Sequence, residues 1–144
     1  MSKINSSDFI NIMNERGFIH QITDKANLQK EMITTSIVGY IGFDCTAPSL
    51  HVGSLIQIMM LRWFQKTGNK PIVLMGGGTT KVGDPSGKDS ARPLLSSEKI
   101  QFNKENIKTI FEKFLKFGEN HNNAIMVCLL YTSDAADDVH RGGR

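Results

Sequence analysis

Tyr40-Ile41-Gly42-Phe43-Asp44-Cys45-Thr46-Ala47-Pro48-Ser49-Leu50-His51-Val52-Gly53-Ser54-Leu55 decides how this chain folds. An apolar, β-rich run ends near Asp44, a turn with Thr46, Pro48 and Ser49 follows, and a long apolar segment opens at Leu50. The pattern predicts a strand, a short turn and a helix. A histidine and the N–H groups of a helix start then face one spot, and such a spot favours an anion.

Working outward, Leu50 to Lys66 is too apolar for a surface helix, so it is expected to pack on a sheet, and Gly68 ends it. Lys70 to Met75 reads as a second buried strand, with Pro71 at its start, where a missing donor matters least. Ser36 to Phe43 reads as the first buried strand. Strand, helix and strand in this order make a βαβ unit, which implies a parallel sheet with a right-handed crossover. Upstream, Ser7 to Arg16 has helical spacing in Phe9, Ile12, Met13 and Arg16, with Gly17 as its stop, and Asp24 caps a second short helix through Leu28 and Met32. Downstream, a glycine-rich loop spans Gly76 to Pro93. Ser96 or Ser97 then caps a helix with an apolar stripe of Ile107, Ile110, Phe111, Phe114 and Leu115, closed by Gly118, and Ala124 to Leu130 reads as a third buried strand.

The 144 residues suffice for one core. With 40% hydrophobic and 22% charged residues, the composition is that of an ordinary globular chain, and a net charge of +3 without a basic run does not by itself point to nucleic acid. Cys45 and Cys128 are far apart and form no Cys-x-x-Cys pair, so two reduced thiols are expected. His20, His51, His121 and His140 have no metal-ligand spacing, so no metal site is expected. The start Met1-Ser2-Lys3-Ile4-Asn5 lacks the apolar core of a signal peptide, and no apolar run reaches spanning length. A cytoplasmic protein with no membrane partner is the expectation.

The stretch around His51-Val52-Gly53-Ser54 resembles the signature region of the class I aminoacyl-tRNA synthetases, in which a His-x-Gly-His tetrapeptide handles ATP phosphates. Its flanks resemble the tyrosine-specific branch of that family. The resemblance covers roughly residues 7–127 and is strongest from Tyr40 to Arg92. It implies an α/β, Rossmann-like catalytic fold with a parallel sheet, of which this chain holds the amino-terminal half. It implies activation of L-tyrosine by ATP to tyrosyl-adenylate and transfer to tRNA(Tyr) in the intact enzyme. ATP is then a substrate accompanied by Mg²⁺, no cofactor is tightly bound, and the intact enzyme is a homodimer.

By the same resemblance, His51 donates to phosphate oxygens in the transition state, and Gly53 lets the adenosine lie close to the helix backbone. Ser54 stands where the family has a second histidine; a serine can hydrogen-bond there but cannot carry charge. Cys45 stands where the family often has proline. Tyr40 matches a tyrosine that hydrogen-bonds the substrate phenol, and Asp44 and Thr46 match positions near the substrate and the ATP phosphates. Turn chemistry alone would also suit Asp44 and Thr46. In the loop Gly83-Asp84-Pro85-Ser86-Gly87-Lys88, Asp84 matches the residue that binds the substrate ammonium, and Lys88 and Arg92 match cations that reach the pyrophosphate. His51, Lys88 and Arg92 are thus the candidate catalytic residues. Tyr40, Asp44 and Asp84 form the candidate tyrosine site, and Thr46, His51, Gly53 and Ser54 the candidate ATP site.

Two rival motifs fail at their defining residues. A phosphate-binding P-loop fails at Asp84, which stands where Gly78 and Gly83 would require lysine, and at Gly83 and Gly87, which are one residue too close and precede Asp89 rather than Ser or Thr. A dinucleotide fingerprint is missing. A tryptophan-specific synthetase and a non-catalytic nucleotide-binding fragment are the alternatives carried forward. The lysine-rich second signature of the family is absent from this chain, so the chain alone is expected not to form adenylate and to fold poorly around an unpaired sheet edge. From Cys128 the composition turns from Ile, Lys and Asn to Ala, Asp, Gly and Arg. Residues 1–127 are therefore read as a partial catalytic domain and 128–144 as a non-native tail.

Overall fold

A computed structural model describes residues 4–76 and 95–129. A 3-10 turn, Ser6–Asp8, leads into α1 (Phe9–Glu15), followed by α2 (Lys25–Thr34), β1 (Val38–Phe43), α3 (Ser54–Lys66), β2 (Lys70–Met75), α4 (Ser97–Phe111) and β3 (Ile125–Cys128). The strands form one sheet in the order β1-β2-β3. The Lys70 N–H donates to Ile37 O at 2.9 Å and the Gly76 N–H to Phe43 O at 2.8 Å, so both chains advance six residues in the same direction and β1 and β2 are parallel.

The helix boundaries follow from local chemistry. Asp24 Oδ1 accepts the Asn27 N–H at 3.1 Å and starts α2, and Ser96 Oγ accepts the Lys99 N–H at 3.2 Å and starts α4. Gly17 and Gly68 adopt left-handed φ of 71° and 90°. Behind them the Phe18 N–H reaches Met13 O and the Asn69 N–H reaches Phe64 O, which closes α1 and α3 as Schellman motifs. Gly118 does not close the fourth helix, as its position had suggested: α4 ends at Phe111, and Gly118, at φ 139°, lies in the connection to β3.

By their contacts, the residues group into two compact units. Of the described residues, the first comprises 4–41, 51–72 and 111–125. Its core joins Ile10 of α1, Met32 of α2 and Phe64 of α3, with Phe9, Ile19, Ile22, Leu28 and Ile37 packed around them. The Phe9 and Phe64 rings meet edge to face at 5.0 Å. Gly39 of β1 makes room for the same Phe64 ring, since a Cβ at Gly39 would lie 3.0 Å from it. Gln65, buried in α3, donates to Lys116 O (2.7 Å) and Asn122 O (3.0 Å) and accepts the Lys116 N–H (2.9 Å), tying α3 to the connection before β3. Asn69, also buried, accepts from Ser6 Oγ (2.7 Å) and the Ile37 N–H (3.0 Å) and donates to Thr67 Oγ1 (3.0 Å).

Of the described residues, the second unit comprises 42–50, 73–76, 95–110 and 126–129. Its buried described residues include Phe43, Cys45, Val73, Met75, Ile100, Asn103 and Ile107.

The sheet departs from expectation in one respect. β1 and β3 were read as buried strands, yet Val38 and Tyr40 on β1 and Ile125 and Val127 on β3 are exposed, while Val73 and Met75 of β2 are fully buried. Among the described residues β2 has a partner on each side and the outer strands have one each, so the flanks of the outer strands are open.

Candidate functional site

The head of α3 is built by a three-residue turn. His51 O accepts the Ser54 N–H at 2.9 Å and Val52 O accepts the Leu55 N–H at 3.0 Å, so the helix proper begins at Ser54 rather than at Leu50. The Gly53 N–H donates to His51 Nδ1 at 3.1 Å. That bond has a chemical consequence. With Nδ1 acting as acceptor, the proton of the neutral ring sits on Nε2, at the far tip of an exposed side chain. The imidazole is held as an outward-facing donor.

The local bonds also revise the electrostatic picture. The N–H groups of Gly53, Ser54 and Leu55 are engaged by His51 Nδ1, His51 O and Val52 O, so the donor offered at this turn is His51 Nε2 rather than those three amides. Gly53 gains a second reason to be glycine. A Cβ there would lie 3.3 Å from His51 Nδ1, so any side chain would press on the imidazole. Ser54 occupies the first residue of α3 and is partly buried.

Tyr40 stands in the middle of β1, three residues before its end, with 69% of its surface exposed, so its hydroxyl is not a core group. In the second unit, the turn after β1 alternates strictly: Phe43 and Cys45 are buried, Asp44 and Thr46 exposed. The two candidate polar residues therefore share the open side of the turn, and their neighbours anchor it. Burial pushes the Cys45 thiol up to about 11; Cys128 and Asp44 add to the rise and Lys104 opposes it. At neutral pH this thiol is protonated and packs as a small apolar group. Both cysteines are free.

One residue at this turn escaped the sequence reading. Asn103 of α4 is fully buried, and its Nδ2 donates to Cys45 O at 2.8 Å. It was visible as a polar interruption of an apolar stripe, since Ile100, Asn103 and Ile107 share one face of the helix. The candidates Asp84, Lys88 and Arg92, with the whole Gly83–Lys88 loop, lie outside the described residues, as does the tail from Leu130 on. Among the described residues no group of three or more His, Cys, Asp or Glu side chains is placed to hold a metal ion, and no helix is long and apolar enough to cross a membrane.

Comparison with known proteins places these features in context. Residues 32–139 match the model of the family described as tRNA synthetases class I (W and Y). The chain is 62% identical over 121 residues to a tyrosine–tRNA ligase of Beijerinckia indica, covering 84% of this chain and 29% of that protein. It is 61% identical over 121 residues to the tyrosine–tRNA ligase of Caulobacter vibrioides, with the same coverage of 84% and 29%. Among solved structures, it matches a C-terminally truncated mitochondrial tyrosyl-tRNA synthetase of Coccidioides posadasii with a TM-score of 0.66 at 25% identity, covering 94% of this chain and 40% of the other. The corresponding Aspergillus nidulans structure matches with a TM-score of 0.67 at 26% identity, covering 84% and 37%. The chain thus spans 29% of the length of the curated relatives it matches.

Proposed function

Because the chain belongs to the class I tRNA synthetases of the tryptophan and tyrosine group, we propose that it is the amino-terminal part of a tyrosine–tRNA ligase, with His51 as a phosphate donor in amino-acid activation. The observation that carries this reading is the bond from the Gly53 N–H to His51 Nδ1, which leaves the Nε2 proton free at the head of α3. In the proposed reaction the tyrosine carboxylate attacks the α-phosphorus of ATP. A carboxylate oxygen–phosphorus bond forms, the bond to the β-phosphate oxygen breaks, and pyrophosphate leaves with the electron pair. Negative charge grows on the phosphate oxygens, and a donor fixed before the reaction stabilises it without reorganisation. Adenylate formation needs no covalent nucleophile on the protein, which agrees with the protonated Cys45.

The remaining assignments belong to the same proposal. Tyr40 and Asp44 contact tyrosine, with Asp84 on its ammonium. Thr46, Gly53 and Ser54 border ATP, and Lys88 and Arg92 meet the pyrophosphate. Mg²⁺ enters with ATP, tRNA(Tyr) accepts the product, and the intact enzyme works as a homodimer in the cytoplasm. Residues 1–127 form the partial catalytic domain and 128–144 an appended tail. Tyrosine is preferred over tryptophan because the relatives named above are tyrosine–tRNA ligases and because Tyr40 offers a phenol-matching hydroxyl.

The test is tyrosine-dependent ATP–pyrophosphate exchange. The full-length protein is expected to catalyse it and the 144-residue chain is not; exchange with tryptophan but not tyrosine would sink the assignment. Tyr40→Phe removes one neutral hydrogen bond to the substrate and is expected to raise KM for tyrosine roughly three- to tenfold, equivalent to about 0.5–1.5 kcal/mol. An unchanged KM would remove Tyr40 from the pocket.

A further inference from the structure

We infer that Asn103 is a positioning residue for amino-acid activation, holding the Asp44–Cys45–Thr46 turn in its working shape through the Cys45 carbonyl. The inference rests on the function proposed above.

Three observations within the second unit carry it. First, the turn is pinned at two points. The Gly76 N–H holds Phe43 O at 2.8 Å, and Asn103 Nδ2 holds Cys45 O at 2.8 Å. Asp44 lies between these two carbonyls and Thr46 directly follows the second, so the backbone that aims both exposed side chains is fixed on either side of Asp44.

Second, the bond defines which way the amide faces. Cys45 O accepts, so the Asn103 group that meets it must be the NH₂. That leaves Asn103 Oδ1 buried and without a hydrogen-bond partner among the described residues. An unpaired buried acceptor is costly, and an apolar residue at this place on the stripe of Ile100 and Ile107 would avoid the cost. The amide is therefore poorly explained as core filling, and among the described residues its hydrogen-bond partner is the Cys45 carbonyl.

Third, the Cys45 side chain does not supply the anchor. Cys45 is buried by its side chain, and a small protonated thiol offers packing but no directional bond to the turn backbone.

The experiment uses the full-length ligase. Asn103→Leu removes the donor and puts an apolar side chain with the same branching at Cγ in its place. Asn103→Asp keeps the shape and replaces the NH₂ by oxygen; it carries the test should the leucine variant not fold. Asn106→Ala, at a partly buried position of α4 whose side chain bonds within the helix to Phe102 O at 2.8 Å, serves as the control. Exchange kinetics are measured per folded molecule, with the folded fraction taken from circular dichroism at the assay temperature. In parallel, amide hydrogen exchange is followed in peptides covering residues 42–50.

We expect kcat/KM for ATP to fall at least tenfold in the Asn103 variants, mostly in kcat, and the 42–50 peptides to lose protection, with Asn106→Ala unchanged in both. A residue that only stabilises the fold would lower the folded fraction and leave kcat per folded molecule as it was. Unchanged protection in 42–50 overturns the inference whatever the activity. So does a kcat within twofold of wild type. Absence of tyrosine-dependent exchange in the wild-type ligase would instead strike the functional proposal, and the hydrogen-exchange arm would still decide whether Asn103 holds the turn.

Discussion

Under the proposed function, replacing His51 by alanine in the full-length protein is expected to lower kcat for tyrosine-dependent ATP–pyrophosphate exchange by about 10²–10³-fold, a loss of roughly 3–4 kcal/mol of transition-state stabilisation. The magnitude follows from what the side chain offers. Nδ1 is spent on the Gly53 N–H, so Nε2–H is a single donor whose direction is already set, and a preorganised donor acts at full strength as charge appears on the phosphate. KM for tyrosine is expected to stay within threefold, because the donor meets charge that develops only on the way to the adenylate. His51→Asn separates the two jobs of the ring. An asparagine oxygen can accept the i+2 N–H and keep the turn at the head of α3, but its NH₂ does not reach as far as Nε2. This variant is expected to retain stability and lose most of the activity. A His51→Ala enzyme with wild-type kcat would show that the imidazole serves only the turn.

The parts of this fold that were legible in the sequence are those governed by local rules. Gly17 and Gly68 announce left-handed residues behind two helices, and the Schellman bonds behind them are the reason. Asp24 and Ser96 announce caps, and each accepts the backbone N–H three residues on. The strand–helix–strand order of β1, α3 and β2 carries the parallel pairing. What local pattern could not convey is place in the sheet. Ser36 to Phe43 and Lys70 to Met75 are similarly apolar, yet one became an outer strand with Tyr40 exposed and the other a central strand with Val73 buried. The site divides the same way. The sequence singles out His51 and Gly53 only for separate proposed roles toward ATP; the bond between them is a two-residue geometric fact that composition does not contain. Gln65, Asn69 and Asn103 were passed over because helix and turn patterns treat polar residues as solvent-facing, whereas each of these is buried and bonded to backbone far away in sequence.

Of these three, Asn69 is expected to matter most for stability. Its side chain joins elements that contribute nothing to one another's local structure: Ser6 in the turn before α1, Ile37 at the approach to β1, and Thr67 at the end of α3. Asn69→Leu keeps the branching at Cγ and removes all three bonds. The Ile37 N–H then loses its acceptor, while the Thr67 hydroxyl keeps its bonds to Trp63 O (3.0 Å) and Phe64 O (2.9 Å). A buried donor left unpaired costs about 1–3 kcal/mol, and that is the loss expected. Chemical unfolding of the full-length protein reads this as a lower midpoint for the transition that includes the catalytic domain. Ser6→Ala supplies the internal check. On its own it should cost about 1 kcal/mol, and in the Asn69→Leu background close to nothing, since its partner is already gone. Additive losses would mean that Ser6 and Asn69 act independently. An unchanged midpoint in Asn69→Leu would mean that packing by Phe64, Ile10 and Met32 holds the first unit without this network.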